Sequence, residues 1–162
     1  MKRDDWFENE TRKHQQEVAK RLIKFAAELL DRATKHDESK LHEPEYTKFA
    51  AATRKLKGLT YGSPEYKKQL KKLGVALDHH YENNKHHPEY NAYSGCLKLI
   101  NGMDLVDLIE MLFDWEAATL RHDDGCIFRS IDQQQKKLDF DDTLKMLLTN
   151  TIHFFKNKNK GN

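Results

Sequence analysis

The scarcity of helix-breaking residues constrains this chain more than any other feature of its sequence. Only three prolines and seven glycines occur in 162 residues, and no segment shows the alternation of apolar and polar residues typical of a half-buried strand. Apolar residues instead recur at intervals of three and four, which is the spacing of one helix face. The sequence therefore predicts an all-α fold, a single compact bundle of about five to seven helices.

Six helices can be placed from apolar periodicity and from signals at their ends. They are expected at residues 8–34, 44–56, 64–82, 103–122, 130–138 and 141–156. Ser63 is a favourable N-cap and Pro64 a favourable first residue of the third helix, and Pro44 suits the first turn of the second. A loop-rich stretch is expected from the third helix to Gly102. Residues 1–155 are expected to form one domain, followed by a flexible basic tail at 156–162.

Composition excludes several classes of protein. The 28 basic and 26 acidic residues nearly balance, which gives no clear indication of nucleic-acid binding. No apolar run approaches the roughly 18 residues that span a bilayer, and the first residues lack the apolar core of a signal peptide. Cys96 and Cys126 show no CxxC spacing, so neither a disulfide framework nor a zinc ribbon is indicated. We therefore expect a cytoplasmic protein that does not enter membranes.

Four aromatic residues near the two ends of the chain have two interpretations. Aromatic side chains at helical spacing are more often part of a core, and we expect that here; the alternative is a homodimer contact. The residues are Trp6, Phe7, Phe154 and Phe155.

The stretch "HHYENNKHHPEY", residues 79–90, holds four of the nine histidines in two adjacent pairs. His80 continues the apolar stripe of Leu77 and is expected to face inward. His86 and His87 lie in the expected loop, where their imidazoles could hydrogen-bond a phosphate or protonate a leaving group. The alternative is a surface loop that is rich in histidine by chance.

Other groups suited to metal binding are spread along the chain. His14 lies one turn before Val18, on the apolar face of the first helix, and His36 and Asp37 are adjacent where that helix ends. Asp114 lies among large apolar residues of the fourth helix, where an unpaired carboxylate would be costly. A metal ion or a buried basic partner would remove that cost.

The order of these motifs resembles the HD-domain superfamily of metal-dependent phosphohydrolases. The resemblance implies an HD-like helical domain whose four metal ligands fall on His14, His36, Asp37 and Asp114. Asp107, on the same stripe of the fourth helix, is the alternative for the last ligand, although its simpler interpretation is a solvated acidic face.

Two stretches resemble one branch of that superfamily, the HD-GYP phosphodiesterases. "HDESK" at 36–40 has the HDxxK form, and His79 and His80, followed by Asn84 and Pro88, are similar to that branch's paired histidines. The resemblance implies a second metal ion bound by the first histidine pair, although the GYP signature itself is missing. Together with "DLIEMLFDWEAA", these stretches also look like an uncharacterised family of small phage and bacterial proteins. A phage-encoded member would act in the host cytoplasm.

The resemblance implies hydrolysis of a nucleotide or another small phosphate ester by a metal-activated water. Imidazole and carboxylate ligands suit one or two ions of Mn, Fe, Co, Ni or Zn. The candidate catalytic residues are Asp37, Lys40, His86 and His87, and the candidate substrate-binding residues are Lys40, Arg54, Asn84 and Lys85. A di-iron oxygenase of the HD type and a metal-binding module without catalysis are the alternatives.

Overall fold

The computed structural model describes residues 4–60, 62–93, 95 and 99–158. Its described residues form helices, turns and loops without a strand, which confirms the all-α prediction. The α-helices are α1 (Asp5–Lys35), α2 (Tyr46–Leu56), α3 (Pro64–Lys71), α4 (Val75–Asn83), α5 (Tyr90–Tyr93), α6 (Leu105–Thr119), α7 (Ile127–Leu138) and α8 (Asp142–Lys158). Short 3₁₀ helices occupy Glu38–Leu41 and Leu99–Gly102.

Two compact units divide the chain, Met1–His36 and Asp37–Asn162. The first contains the single long helix α1. The side chain of Asp4 caps its N-terminus by accepting from the Phe7 N–H, and ion pairs one turn apart, such as Lys20 with Glu17, follow its length. N-terminal capping and ion pairs of this kind stabilise a helix without contacts to other helices. No residue of α1 is buried.

The second unit is built around an apolar core formed by its last three helices. α7 packs against both α6 and α8, and the side chains between them are fully or almost fully buried. The core residues include Met111, Leu112, Trp115, Ile127, Ile131, Leu148 and Ile152. Spacings of three and four residues between them within a helix are the pattern from which these helices were expected.

The predicted third helix is wrong in one respect, because it is two helices. Gly74 adopts a positive φ of 51°, which a helix interior does not contain, and α3 and α4 lie on either side of it. Ser63 and Pro64 do begin α3 as expected, with the Ser63 hydroxyl accepting from the Tyr66 N–H. This division and the four-residue α5 bring the number of α-helices among the described residues to eight, above the expected range.

Several smaller expectations also need correction. Pro44 does not begin α2, because the Glu45 and Tyr46 N–H groups both donate to the His42 carbonyl and form a preceding turn. α8 continues to Lys158, so the start of the expected tail is helical; residues 159–162 lie outside the described residues.

The terminal aromatic residues are not core residues. All four expected there are exposed, namely Trp6, Phe7, Phe154 and Phe155. Within the described part of the chain, no helix has the length and apolar character needed to cross a bilayer.

Candidate metal centre

Four side chains of the second unit converge close to its beginning. Each of them offers one ligand atom, and these atoms all lie within 4.8 Å of one another. We call this set the ligand cluster; it consists of Asp37, His80, His86 and His87. Asp37 directly precedes the first 3₁₀ helix, His80 lies in α4, and the other two histidines lie in the turns after α4.

The backbone presents Asp37 to the cluster in an uncommon conformation. Its φ of 59° and ψ of 14° are left-handed, a region that aspartate tolerates better than most residues. Its carbonyl accepts from the Lys40 N–H at 2.9 Å, and its Oδ2 pairs with Lys40 Nζ at 2.5 Å. Oδ1 is left facing two imidazoles, 3.3 Å from His80 Nε2 and 3.6 Å from His86 Nε2.

His80 is fixed by a buried network on the other side of its ring. Its Nδ1 lies 2.9 Å from Oε2 of Glu45, a residue with no exposed surface (0%). The Asn84 amide can direct its two hydrogens to Ser39 Oγ and to the His80 carbonyl, at 2.9 and 2.8 Å. Nδ1 therefore donates to Glu45, because a carboxylate only accepts, and in the neutral tautomer that results the lone pair lies on Nε2.

His86 repeats this arrangement with a different carboxylate. The ring is 2% exposed, and its Nδ1 lies 3.1 Å from Oε1 of Glu110 on α6. A proton on Nδ1 again leaves the lone pair on Nε2, the atom that faces Asp37. Turn hydrogen bonds hold this loop, including one from the His87 N–H to the Asn84 carbonyl at 3.1 Å, and the buried Pro88 anchors it.

His87 completes the cluster as a neutral imidazole. Its Nε2 lies 2.9 Å from Nε2 of His80. Burial holds the pKa of His87 well below its usual value, and the neighbouring His86 and His80 lower that pKa further. A neutral ring is the form in which histidine binds metals.

The geometry can accommodate a cation. When Nδ1 of both His80 and His86 donates to a carboxylate and both rings are neutral, the two Nε2 lone pairs lie beside Oδ1 of Asp37, and a cation bound among these atoms would offset the repulsion. Ligand atoms about 2.0–2.2 Å from a tetrahedral metal lie roughly 3.3–3.6 Å apart. The two distances to Asp37 agree with this range, and the 2.9 Å between Nε2 of His80 and Nε2 of His87 is shorter. Three imidazoles and a carboxylate suit Zn, Fe, Co, Ni or Mn better than Ca.

His79 does not share this environment with its neighbour. Its side chain is 37% exposed, and its Nδ1 pairs with the other oxygen of Glu45 at 2.7 Å. His79 therefore lies beyond the carboxylate that orients His80, whereas His86 and His87 lie beside His80. The structure therefore places His86 and His87, which were expected to act on substrate, beside His80, one of the two histidines expected to bind a second metal.

The two acidic candidates of α6 also separate. Asp107 is buried, and together with Asp104 it caps the N-terminus of α6. The Asp107 N–H donates to Asp104 Oδ1 at 2.9 Å, and Asp107 Oδ2 accepts from the Asp104 N–H at 3.4 Å. Its expected role as a solvated acidic residue is therefore wrong. Asp114 is partly buried and offers a ligand atom within 4.8 Å of one from His86; its role as the late ligand stays a prediction.

His14 and His36 belong to the first unit. His14 is exposed on α1, whereas it was expected on an inward face, and His36 is the C-cap residue of that helix. Their part in metal binding stays a prediction from the resemblance.

The expected substrate-binding residues lie at different depths. Lys40 is partly buried, beside Asp37 and 5.2 Å from the centre of the Phe49 ring, while Arg54 and Lys85 are exposed. Asn84 faces protein atoms around His80 rather than open space. Its position suits a residue that orients the proposed metal ligand His80.

Two carboxylates of the site were missed from the sequence. Glu110 lies one turn before Asp114 on the same stripe of α6, and this spacing could have identified it. Glu45 had no such signal, because its burial depends on α4, which is distant in the sequence.

The family model for a family of unknown function, DUF5662, matches residues 3–157. The chain belongs to this family. No curated protein and no solved structure matches the chain. The DUF5662 description names no activity, so a function has to be argued from the site itself.

Proposed function

We propose that this DUF5662 protein is a metal-dependent phosphohydrolase of the HD type, acting on a nucleotide or another small phosphate ester. One observation carries the proposal: Asp37 Oδ1 faces Nε2 of both His80 and His86, while the buried Glu45 and the partly buried Glu110 hold the Nδ1 atoms of these two rings. This paired outer support is typical of metal-binding histidines.

The roles of the four cluster residues follow from their contacts. Asp37, His80, His86 and His87 are proposed as the ligands. These four ligands would fill a tetrahedral ion, so a catalytic ion would need a coordination number above four; it would then supply an acidified water and a contact for a phosphoryl oxygen. His86 and His87 are better suited to holding the ion than to proton transfer, since both are largely buried and one is held by Glu110.

Lys40 is the residue best placed to meet an anionic substrate. Its ammonium group lies beside Oδ2 of Asp37 and keeps 30% of its side-chain surface exposed. A phosphate approaching the cluster would be attracted by this charge. Arg54 and Lys85 are exposed, so they would contribute steering at a distance and little direct binding.

Phosphate release from a panel of nucleotides and simple phosphate esters, with Mn, Mg, Co and Ni each supplied, tests the proposal. The informative variant is Asp37→Asn, which removes the charge and keeps a residue that tolerates the left-handed backbone. Asp78→Asn, at an exposed position of α4, is the matched control. We expect release by the wild type and the control, and loss in Asp37→Asn.

Two results would point elsewhere. Metal bound at full stoichiometry without phosphate release from any substrate would favour a binding module. Oxygen consumption after anaerobic loading with iron, together with the visible spectrum of a di-iron centre, would favour an oxygenase.

A further inference from the structure

A polar cavity lies where α7 begins. It has a volume of about 130 Å³ and contains no residue of the ligand cluster. Its lining combines a thiol, a guanidinium, an amide and several hydroxyls. The lining residues are Thr60, Thr119, Asp124, Gly125, Cys126, Arg129, Ser130 and Gln133.

Ser130 is the residue that indicates a ligand. It is only 3% exposed, and its Oγ has no hydrogen-bond partner among the described residues. Leaving a buried hydroxyl without a partner is costly, and helical serines commonly avoid that cost by bonding to a carbonyl of the preceding turn. A small polar molecule in the cavity would satisfy this hydroxyl.

Cys126 lies one turn before Ser130. The Ser130 N–H donates to the Cys126 carbonyl at 3.0 Å, and side chains four residues apart share one helix face. Cys126 is the N-cap residue of α7 and has a free, partly buried thiol. Hydrogen bonding from the Arg129 backbone N–H lowers the pKa of this thiol, against a smaller opposing effect of burial.

We propose that this cavity admits hydrogen peroxide or a similarly small hydroperoxide, which oxidises Cys126 to a sulfenic acid with the Ser130 hydroxyl directed at the leaving oxygen. Size supports this class of ligand. A water molecule takes about 30 Å³ in the liquid, so the cavity holds a peroxide with room to spare and is too small for a peptide thiol such as glutathione.

The reaction balances without another reactant. The thiolate sulfur forms a bond to one peroxide oxygen, and the oxygen–oxygen bond breaks. The departing hydroxide takes a proton from solvent and leaves as water. Sulfur loses two electrons and the peroxide gains them. Ser130 donates a hydrogen bond to the departing oxygen and transfers no proton.

The test is peroxide treatment of the full-length wild-type protein in the presence of dimedone, followed by quantification of the labelled peptide that contains Cys126. At neutral pH we expect labelling roughly threefold to tenfold faster than that of free cysteine in the same tube, because the Ser130 hydroxyl stabilises the departing oxygen. Cys96, on a different peptide, reports general oxidation of the sample.

Ser130→Ala separates the proposed role from a merely structural one. We expect peroxide oxidation of Cys126 to slow roughly threefold to tenfold, the worth of one hydrogen bond, with the rate of alkylation by iodoacetamide unchanged. Gln134→Ala, one turn further along α7, is the control. The proposal is overturned if Cys126 oxidises no faster than free cysteine, if Ser130→Ala oxidises like the wild type, or if both reactions slow equally.

Discussion

Two regions of the second unit contain fully or almost fully buried side chains and are stabilised in opposite ways. In the apolar core, Ile131 and Ile152 are fully buried, and burial of apolar surface has no preferred direction. In the ligand cluster, His80 is 1% exposed beside the fully buried Glu45, and each polar atom depends on a particular partner. A core of the first kind tolerates apolar substitutions of similar volume, whereas a site of the second kind is sensitive to the loss of a single atom.

The first way to sharpen this comparison is to create a cavity in the core. Ile152→Ala should lower the free energy of unfolding by about 2–5 kcal/mol, because buried contacts are lost and the space is not refilled. Metal affinity of the folded protein should stay at the wild-type value. Urea unfolding and a metal titration measure the two quantities.

Met146→Ala, at an exposed position of the same helix, is the control and should change stability by less than about 0.5 kcal/mol. A large fall in metal affinity in Ile152→Ala would show that the two regions are not independent.

The second prediction removes one member of the ligand cluster. His86→Ala should weaken metal binding at least roughly 100-fold, since even partners of a ligand typically account for 10- to 100-fold. Helical content by circular dichroism should remain. His42→Ala removes an exposed histidine close in sequence to Asp37 and should bind metal normally. Equal affinity in both variants would remove His86 from the site.

The third prediction concerns Glu45→Gln, which replaces one oxygen of a buried carboxylate by an NH₂ group. Glu45 accepts from both His79 and His80, and a glutamine can accept from only one of them. If its NH₂ group faces His80, the ring proton must move to Nε2, the atom that faces Asp37. Glu45→Gln should therefore weaken metal binding roughly 10- to 100-fold.

The tautomer of His80 is measurable directly from ¹⁵N chemical shifts of the ring. Glu43→Gln, two residues away and on the surface, should leave both the tautomer and the affinity unchanged. An unaltered tautomer together with weakened binding would contradict the mechanism.

The smallest expected effect is on pH dependence. The pKa of His87 is lowered from its ordinary 6.5, so below that pH the unfolded chain binds more protons than the folded one. Stability of the metal-free protein should therefore fall as the pH decreases below about 6.5, by up to about 1.4 kcal/mol per pH unit from this group. Urea unfolding in a chelator gives the slope.

His87→Gln should flatten that slope, because the titrating group is gone. Identical slopes in the two proteins would mean that other groups determine the acid sensitivity, and that the ring of His87 is not kept neutral by its surroundings.

The sequence was sufficient for those parts of the fold that depend on local signals. Apolar spacing located α6, α7 and α8, and Ser63 with Pro64 located the start of α3. The division at Gly74 was missed because the apolar stripe continues across it: Leu73 and His80 are both buried although they belong to different segments.

The candidate site was predictable in its residue types and less so in their grouping. The adjacent His36 and Asp37 and the density of histidines indicated a metal. Which of the histidines would lie together could not be predicted, because Glu45 and Glu110 orient them. These two carboxylates lie far from the histidines in the sequence and close to them in space. Such contacts follow from the tertiary packing of helices.

The left-handed backbone at position 37 means that natural variation there has to meet two requirements. Folding favours glycine, asparagine and aspartate over other residues, and it disfavours β-branched residues most strongly. Metal binding requires an anionic oxygen, which glycine and asparagine lack. Aspartate is the single amino acid that meets both requirements. A library of all substitutions at this codon, sorted separately for soluble expression and for metal retention, would show the two requirements as different sets of retained variants.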